Sequence, residues 1–255
     1  MPVKMEIENL HFGQKFIILY GDTGTRKTTS LATLPEEALP VGLIDVDGKA
    51  AVLMEEDIKR DLWHVYQLAE YKLEGRLQKA KPCLLTEALE ALDQINNNKE
   101  IKTIVIDSVT ILYDGIIQLS RFESGKSDDE GFNPSEYGVA MNRAIKFIHK
   151  LRATKRNIIL ICHEKLHTNE TTKIEKGSPA LTGQLASIFP RHAIELLHAF
   201  VSRDKKYKWH LRNSGIFVAS TTRRDLPDET DQNFAYFWGA NLVENKSEIS
   251  EKTSK

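Results

Sequence analysis

The chain has 255 residues, 41% of them hydrophobic and 28% charged, with a formal net charge of −1. That size and mixture suit one large globular domain, or one domain with an appendage. Near-neutrality argues against a generic polyanion binder, so any nucleic-acid contact has to come from local basic loops. No apolar run reaches the roughly eighteen residues a membrane-crossing helix needs, and Met1-Pro2-Val3-Lys4-Met5-Glu6 lacks the apolar core of a signal peptide. Cys83 and Cys162 lie far apart without metal-ligand spacing. Cys162 closes an apolar run and reads as a core thiol, which makes the cytoplasm the expected compartment.

In chain order, residues 1–15 are expected to add a short strand or ribbon. Phe16-Ile17-Ile18-Leu19-Tyr20 is an uninterrupted apolar and aromatic run closed by Gly21, the pattern of a short buried strand. Then come Asp22, Thr23, Gly24, Thr25, Arg26, Lys27, Thr28 and Thr29, followed by Leu31, Ala32 and Leu34 at the start of a helix. Strand, glycine-bearing loop, Lys-Thr and helix together spell a phosphate-binding P-loop. Backbone N–H groups and the helix dipole would cradle an anion. Lys27 would reach the β- and γ-phosphates and the Thr28 hydroxyl would hold Mg²⁺. The full motif is G-x-x-x-x-G-K-[ST], and Arg26 stands at its second glycine. If that position needs φ > 0, an arginine there costs about 1–3 kcal/mol. A plain strand-to-helix turn with a chance Lys-Thr is the alternative.

Pro35 and Pro40 bracket a break, after which Val41 to Gly48 reads as a buried strand ending in Asp45 and Asp47, where open α/β sheets place their ligands. A strand end followed by an Asp-Gly turn explains the same residues. Trp63, Val65, Tyr66 and Leu68 suggest a strand or helix at the sheet edge. Leu85, Leu89, Leu92 and Ile95 recur at helical spacing over Thr86 to Asn97. Ile101 to Ser108 is a β-branched strand ending in Asp107-Ser108, the form of a Walker B strand whose carboxylate binds Mg²⁺ through water or the Thr28 hydroxyl. It is expected beside the P-loop strand. Residues 120–135 read as a mobile polar loop, Tyr137 to Lys155 as a long amphipathic helix, and Asn157 to Glu164 as another buried strand. A second polar loop, Lys165 to Gly183, carries Lys165, His167, Lys173 and Lys176. Segments at 193–201, 207–212 and 216–220 are expected to be antiparallel strands. Thr222-Arg223-Arg224-Asp225 forms a basic turn, and Glu244 to Lys255 is polar and expected to fray.

Four stretches, Tyr20 to Thr29, Ile44 to Asp47, Val105 to Val109 and Ile159 to Glu164, make the chain resemble the RecA-like P-loop ATPases. It looks most like the phage-encoded RecA-core ATP-binding proteins linked to single-strand annealing and recombination. The resemblance implies an α/β fold: a RecA-like P-loop core with a mainly parallel sheet flanked by helices and an antiparallel C-terminal extension. The core would span residues 16–225, with the extension from about 193 and a C-terminal segment over 226–255. It implies ATP and Mg²⁺ as ligands, with Gly21 to Thr29 binding nucleotide and Thr28 and Asp107 holding the metal. Asp47 falls where the family orients the attacking water with Glu, and His163 where RecA has a γ-phosphate-sensing Gln. Lys165, Lys173 and Lys176 fall in the loop that contacts DNA, the loop 120–135 corresponds to the earlier one, and Arg223 or Arg224 could act as an arginine finger toward a neighbour.

The first functional expectation is therefore an ATP-hydrolysing oligomer acting on single-stranded DNA, with a single-strand binding protein as a partner and the host-cell cytoplasm as its place. The alternative, from the departures at Arg26, Asp47 and His163, is a nucleotide-gated binding module with little or no hydrolysis that works through protein partners. A small-substrate kinase is the third class, and the absence of a recognisable lid speaks against it.

Overall fold

A computed structural model describes residues 14–55, 60–74, 79–125, 133–168, 173 and 175–239. The expected ribbon over 1–15 and the fraying end therefore lie almost entirely outside the described residues. In chain order the elements are β1 (Phe16–Gly21), α1 (Lys27–Ser30), β2 (Val41–Asp45), β3 (Trp63–Gln67), β4 (Tyr71–Glu74), β5 (Lys79–Pro82), α2 (Leu84–Asn97) and β6 (Thr103–Asp107). There follow α3 (Val109–Glu123), α4 (Pro134–Ala153), β7 (Asn157–Thr168), β8 (Glu175–Pro179), α5 (Leu185–Ile188), β9 (Glu195–Val201), β10 (Tyr207–His210) and β11 (Glu229–Asp231).

The main sheet runs β11-β10-β9-β1-β7-β6-β2-β3, with β8 paired to β7 off this path. Strands β9, β1, β7, β6, β2 and β3 are mutually parallel, while β10, β11 and β8 pair antiparallel. The sheet is thus mainly parallel with antiparallel C-terminal strands, as the sequence led us to expect. Its central strands are buried on both faces, which is why they read as unbroken apolar runs rather than alternating ones. On one face Ile18, Tyr20, Ile106 and Leu160 pack with α2, α3 and α4. On the other, Ile17, Leu19, Val105 and Ile159 meet Leu31, Trp209 and a C-terminal aromatic segment.

Several expectations change. Strand β7 sits between β1 and β6, so the P-loop strand and the Asp107 strand are not neighbours. The region read as a loop over 120–135 is helical to Glu123 and again from Pro134, where Asn133 and Glu136 form a capping box; residues 126–132 lie outside the described set. Helix α3 was not read from the sequence. Its Leu112, Ile116 and Leu119 face the core, but the run follows directly on the strand and blurs the period. The loop expected from Lys165 is instead a β-hairpin at its base, because β7 continues to Thr168 and pairs with β8. Strand β9 is parallel to β1, since its partner is the sheet interior rather than a hairpin neighbour. Residues 216–220 make only isolated bridges, at Phe217 and Ser220.

The covering segment after Leu226 was also invisible in the sequence. A short 3-10 turn over Phe234–Trp238 buries Phe234, Tyr236 and Phe237. Phe234 meets the fully buried Trp209 edge-on at 4.8 Å between ring centroids.

At the C-terminal ends of these strands a buried polar chain fastens the hairpin. Glu164 on β7 bonds His198 Nε2 on β9 at 2.8 Å, and His198 Nδ1 faces His210 Nδ1 on β10 at 3.0 Å. Phe217 stacks on His198 at 3.8 Å. The Tyr20 hydroxyl donates to the carbonyls of Gly177 and Val218, tying β8 to the segment that covers the histidines. Burial, reinforced by His210 and Lys27, pushes the His198 imidazole down to about 3, so it stays neutral in the fold.

Phe234→Ala should lower the unfolding free energy by about 3–5 kcal/mol in a urea titration, as expected for a large buried ring. The folded imidazole of His198 titrates below the unfolded value of about 6.5. Its contribution to stability is thus complete above that pH and is lost as pH falls through that value toward about 3. Burial raises Glu164, which works in the opposite direction. The readout is therefore a difference: between pH 7 and pH 4.5 the native chain should lose more stability than His198→Gln.

Candidate functional site

The carboxyl ends of β1, β2, β6 and β7 open onto a cleft of about 380 Å³, within the range small-molecule ligands occupy. The P-loop leaves β1 at Gly21, which lies where β9 comes close: a Cβ there would stand 2.3 Å from the Ala199 carbonyl oxygen and 3.1 Å from Thr25 Oγ1. The loop turns through Gly24 at φ 80 and Arg26 at φ 60. The position of Arg26 is thus left-handed, the conformation a glycine adopts without cost and an arginine at about 1–3 kcal/mol. The Arg26 guanidinium rests over the Tyr207 ring, 4.6 Å from its centroid, a contact that returns about 0.5–1 kcal/mol at an exposed site. From the next strands, the Gln232 side-chain amide donates to the Thr25 carbonyl at 2.9 Å. The outer edge of the sheet therefore holds two consecutive loop residues, Thr25 and Arg26.

The helix after the loop is shorter than expected. It is one α-turn, Lys27–Ser30, continued as a 3-10 turn over Leu31–Thr33, so a long helix dipole does not back the loop. Any anion has to be cradled by the loop backbone and Lys27. Lys27 is buried and donates from Nζ to the Gly21 and Asp22 carbonyls at 2.9 and 2.8 Å. Burial lowers its pKa, against the pull of Asp107 and Asp22.

The Thr28 hydroxyl donates to the Asp107 carboxylate across the cleft. Asp107 is buried, and burial raises its pKa to about 6, with the Thr28 hydrogen bond acting the other way. Its carbonyl accepts from the N–H groups of Val46 and Asp47, at 2.6 and 3.1 Å, which fixes the turn after β2 beside it. Asp47 pairs with Lys49 Nζ at 2.6 Å and lies 3.8 Å from His163 Nε2. The His163 pKa is lowered, mainly by burial, and its backbone N–H donates to Thr110 Oγ1. Asp45 plays another part: its carboxylate accepts from the Lys49 and Ala50 N–H groups, capping the turn that follows.

Thr23, Gly24, Arg26, Lys27, Thr28, Thr29, Asp47, Asp107 and His163 thus line one cleft. Gly21, Asp22 and Thr25 shape the loop from behind. Lys165 and Lys176 stand exposed on the two strands of the β7–β8 hairpin, and Lys173 is exposed between them. Arg223 is engaged within its own chain, with Asp225 at 2.8 Å and the Tyr236 carbonyl, whereas Arg224 is exposed. Lys49, Tyr207 and Gln232 were not among the expected site residues. Lys49, two residues after Asp47, is the one its position could have signalled; the other two reach the loop from about two hundred residues away.

A strand, a glycine-bearing loop with Lys-Thr and an aspartate facing that threonine define a P-loop nucleotide-binding core. Residues 14–219 match the profile of a family described as an AAA domain, and the chain belongs to that family. Its fold is accordingly an α/β P-loop core, a mainly parallel sheet flanked by helices with antiparallel C-terminal strands. Among solved structures it is similar to the RadB recombinase, at 11% identity and a TM-score of 0.45 over 78% of this chain and 84% of that one. It is also similar to the KaiC-like protein PH0186 from the hyperthermophilic archaea Pyrococcus horikoshii OT3, at 14% identity and a TM-score of 0.44 over 81% and 82%. A comparison with curated proteins returns no match. No helix among the described residues is long and apolar enough to cross a membrane.

Gly21→Ala should cost about 1–3 kcal/mol in denaturant unfolding by forcing β9 away from β1. Retained stability would mean that the two strands separate without penalty.

Proposed function

We propose that this chain binds and hydrolyses ATP and acts on single-stranded DNA in recombination or annealing, as a protein of a phage or mobile element. The observation that carries the ATP part is the meeting of the Thr28 hydroxyl and the Asp107 carboxylate in the cleft that holds Lys27. One hydroxyl and one carboxylate are hard oxygen donors, and they suit Mg²⁺, which takes few protein ligands and completes its shell with water and phosphate oxygens. When bound, the ion supplies charge neutralisation to the phosphates.

The chain's own residues supply the rest. Lys27 exchanges its two loop carbonyls for phosphate oxygens, a swap that strengthens as charge develops there. Asp47 orients a water for in-line attack, and the neutral His163 donates or accepts a hydrogen bond at the terminal phosphate. The hairpin begins at Glu164, the residue after His163, and carries Lys165 and Lys176, so a shift of His163 is passed directly to basic side chains. That connection supports the DNA reading, with salt-sensitive contacts to the backbone of a single strand. Assembly into an oligomer would bring a neighbour's Arg224 toward the cleft, and a single-strand binding protein would deliver the DNA.

A second reading, nucleotide binding with little turnover and action through protein partners, is favoured by the 2.6 Å pairing of Asp47 with Lys49, which ties up the carboxylate that would hold the water. Phosphate release with and without single-stranded DNA separates the two. We expect DNA to raise the rate and Lys27→Ala to lower it by about 10²-fold or more. Lys165→Ala with Lys176→Ala should remove much of the DNA effect at low salt, and the difference from the native chain should shrink as salt rises. Tight ATP binding with no turnover would leave the second reading standing, and a rate indifferent to both Lys27 and DNA would end the first.

A further inference from the structure

The cleft extends as far as Arg26. Arg26 and Thr29 line it and also line a second open space of about 510 Å³, whose other walls include Lys205, Tyr207, Asp231 and Gln232. The two spaces therefore share a wall, formed by Thr29 and the left-handed turn of the P-loop at Arg26. The polar constellation of Asp107, Asp47 and His163 marks the terminal-phosphate end of the first. A triphosphate lying along the loop with its last phosphate there must leave at the opposite end, past Thr29 and Arg26. What it meets is an aromatic ring under a guanidinium: Tyr207, with Arg26 4.6 Å from its centroid.

We propose that the Arg26–Tyr207 pair is a nucleoside-holding subsite, on which the base of the bound nucleotide stacks. This rests on the reading of the first cleft as a nucleoside triphosphate site. The strained backbone of Arg26 points the same way, because a left-handed arginine at a glycine position persists when something beyond local geometry over-determines it. The subsite is preformed. Gln232 holds the Thr25 carbonyl and also donates to the Lys208 carbonyl at 3.3 Å, so the loop and the strand bearing Tyr207 keep a fixed spacing. The guanidinium, backed by the Tyr207 ring, offers its outer planar face to a base, and stacking of this kind accepts any base. The residue that breaks the P-loop pattern thus recognises the nucleoside rather than damaging the phosphate site. It leaves the choice among bases weak.

Calorimetric titration with Mg-ATP and with Mg-tripolyphosphate, which lacks the nucleoside, tests this. The native chain should prefer ATP by about tenfold or more. Tyr207→Ala should weaken ATP by about that factor and leave tripolyphosphate unchanged, while Tyr207→Phe keeps the preference. Arg26→Gly should also shrink the ratio of the two affinities, whatever it does to each alone. Equal affinity of the native chain for both ligands, or an unchanged ratio in Tyr207→Ala and Arg26→Gly, overturns the subsite and leaves the triphosphate site intact. Binding of neither ligand by the native chain ends the triphosphate reading itself, and the subsite with it. An unfolded Tyr207→Ala passes the decision to Arg26→Gly.

Discussion

The contact between the Thr28 hydroxyl and the Asp107 carboxylate is the constraint on which the rest of this structure depends. It joins two segments whose strands do not touch, because β7 lies between them. The P-loop bridges that gap by rising over the carboxyl edge of the sheet and turning back at Gly24 and Arg26. Burial makes the contact consequential. A carboxylate as enclosed as Asp107 is held in its charged form only by donors and cations aimed at it, and Thr28 and Lys27 are the two that oppose its desolvation.

From that contact the surroundings follow. The Asp107 carbonyl anchors the turn bearing Asp47, and the intervening strand delivers His163 to the same edge. Beyond His163 the strand runs on into the hairpin, so the cleft and the exposed lysines belong to one continuous element. On the other flank, β10 and β11 grip the loop through Tyr207 and Gln232. The nucleotide loop is thereby held between a hairpin facing outward and an antiparallel edge. Histidines His198 and His210 and the Tyr20 hydroxyl stitch the two flanks together under Phe217.

The departures from the P-loop and RecA-like patterns have local physical accounts. Arg26 takes the left-handed backbone of the glycine it replaces and places its side chain on an aromatic ring. Asp47 is shorter than the usual glutamate, yet the two N–H bonds to Asp107 bring its backbone close to the cleft, and Lys49 holds its carboxylate. His163 is kept neutral by burial and so remains both a donor and an acceptor.

The sequence by itself determined what neighbouring residues decide. Short, largely apolar runs made β1, β2, β6 and β7 buried strands, and the residues at their ends marked one edge of the sheet, where Lys27, Asp47, Asp107 and His163 now stand together. Only the tertiary structure decided which strands are neighbours, that β9 runs parallel, that the segment after Lys165 folds back on β7, and that Phe234 seals the far face. Those outcomes depend on partners far away in the chain. A strand's apolar run says that it is covered on both faces but not by what, and Tyr207 and Gln232 acquire their roles only when distant strands place them against the loop.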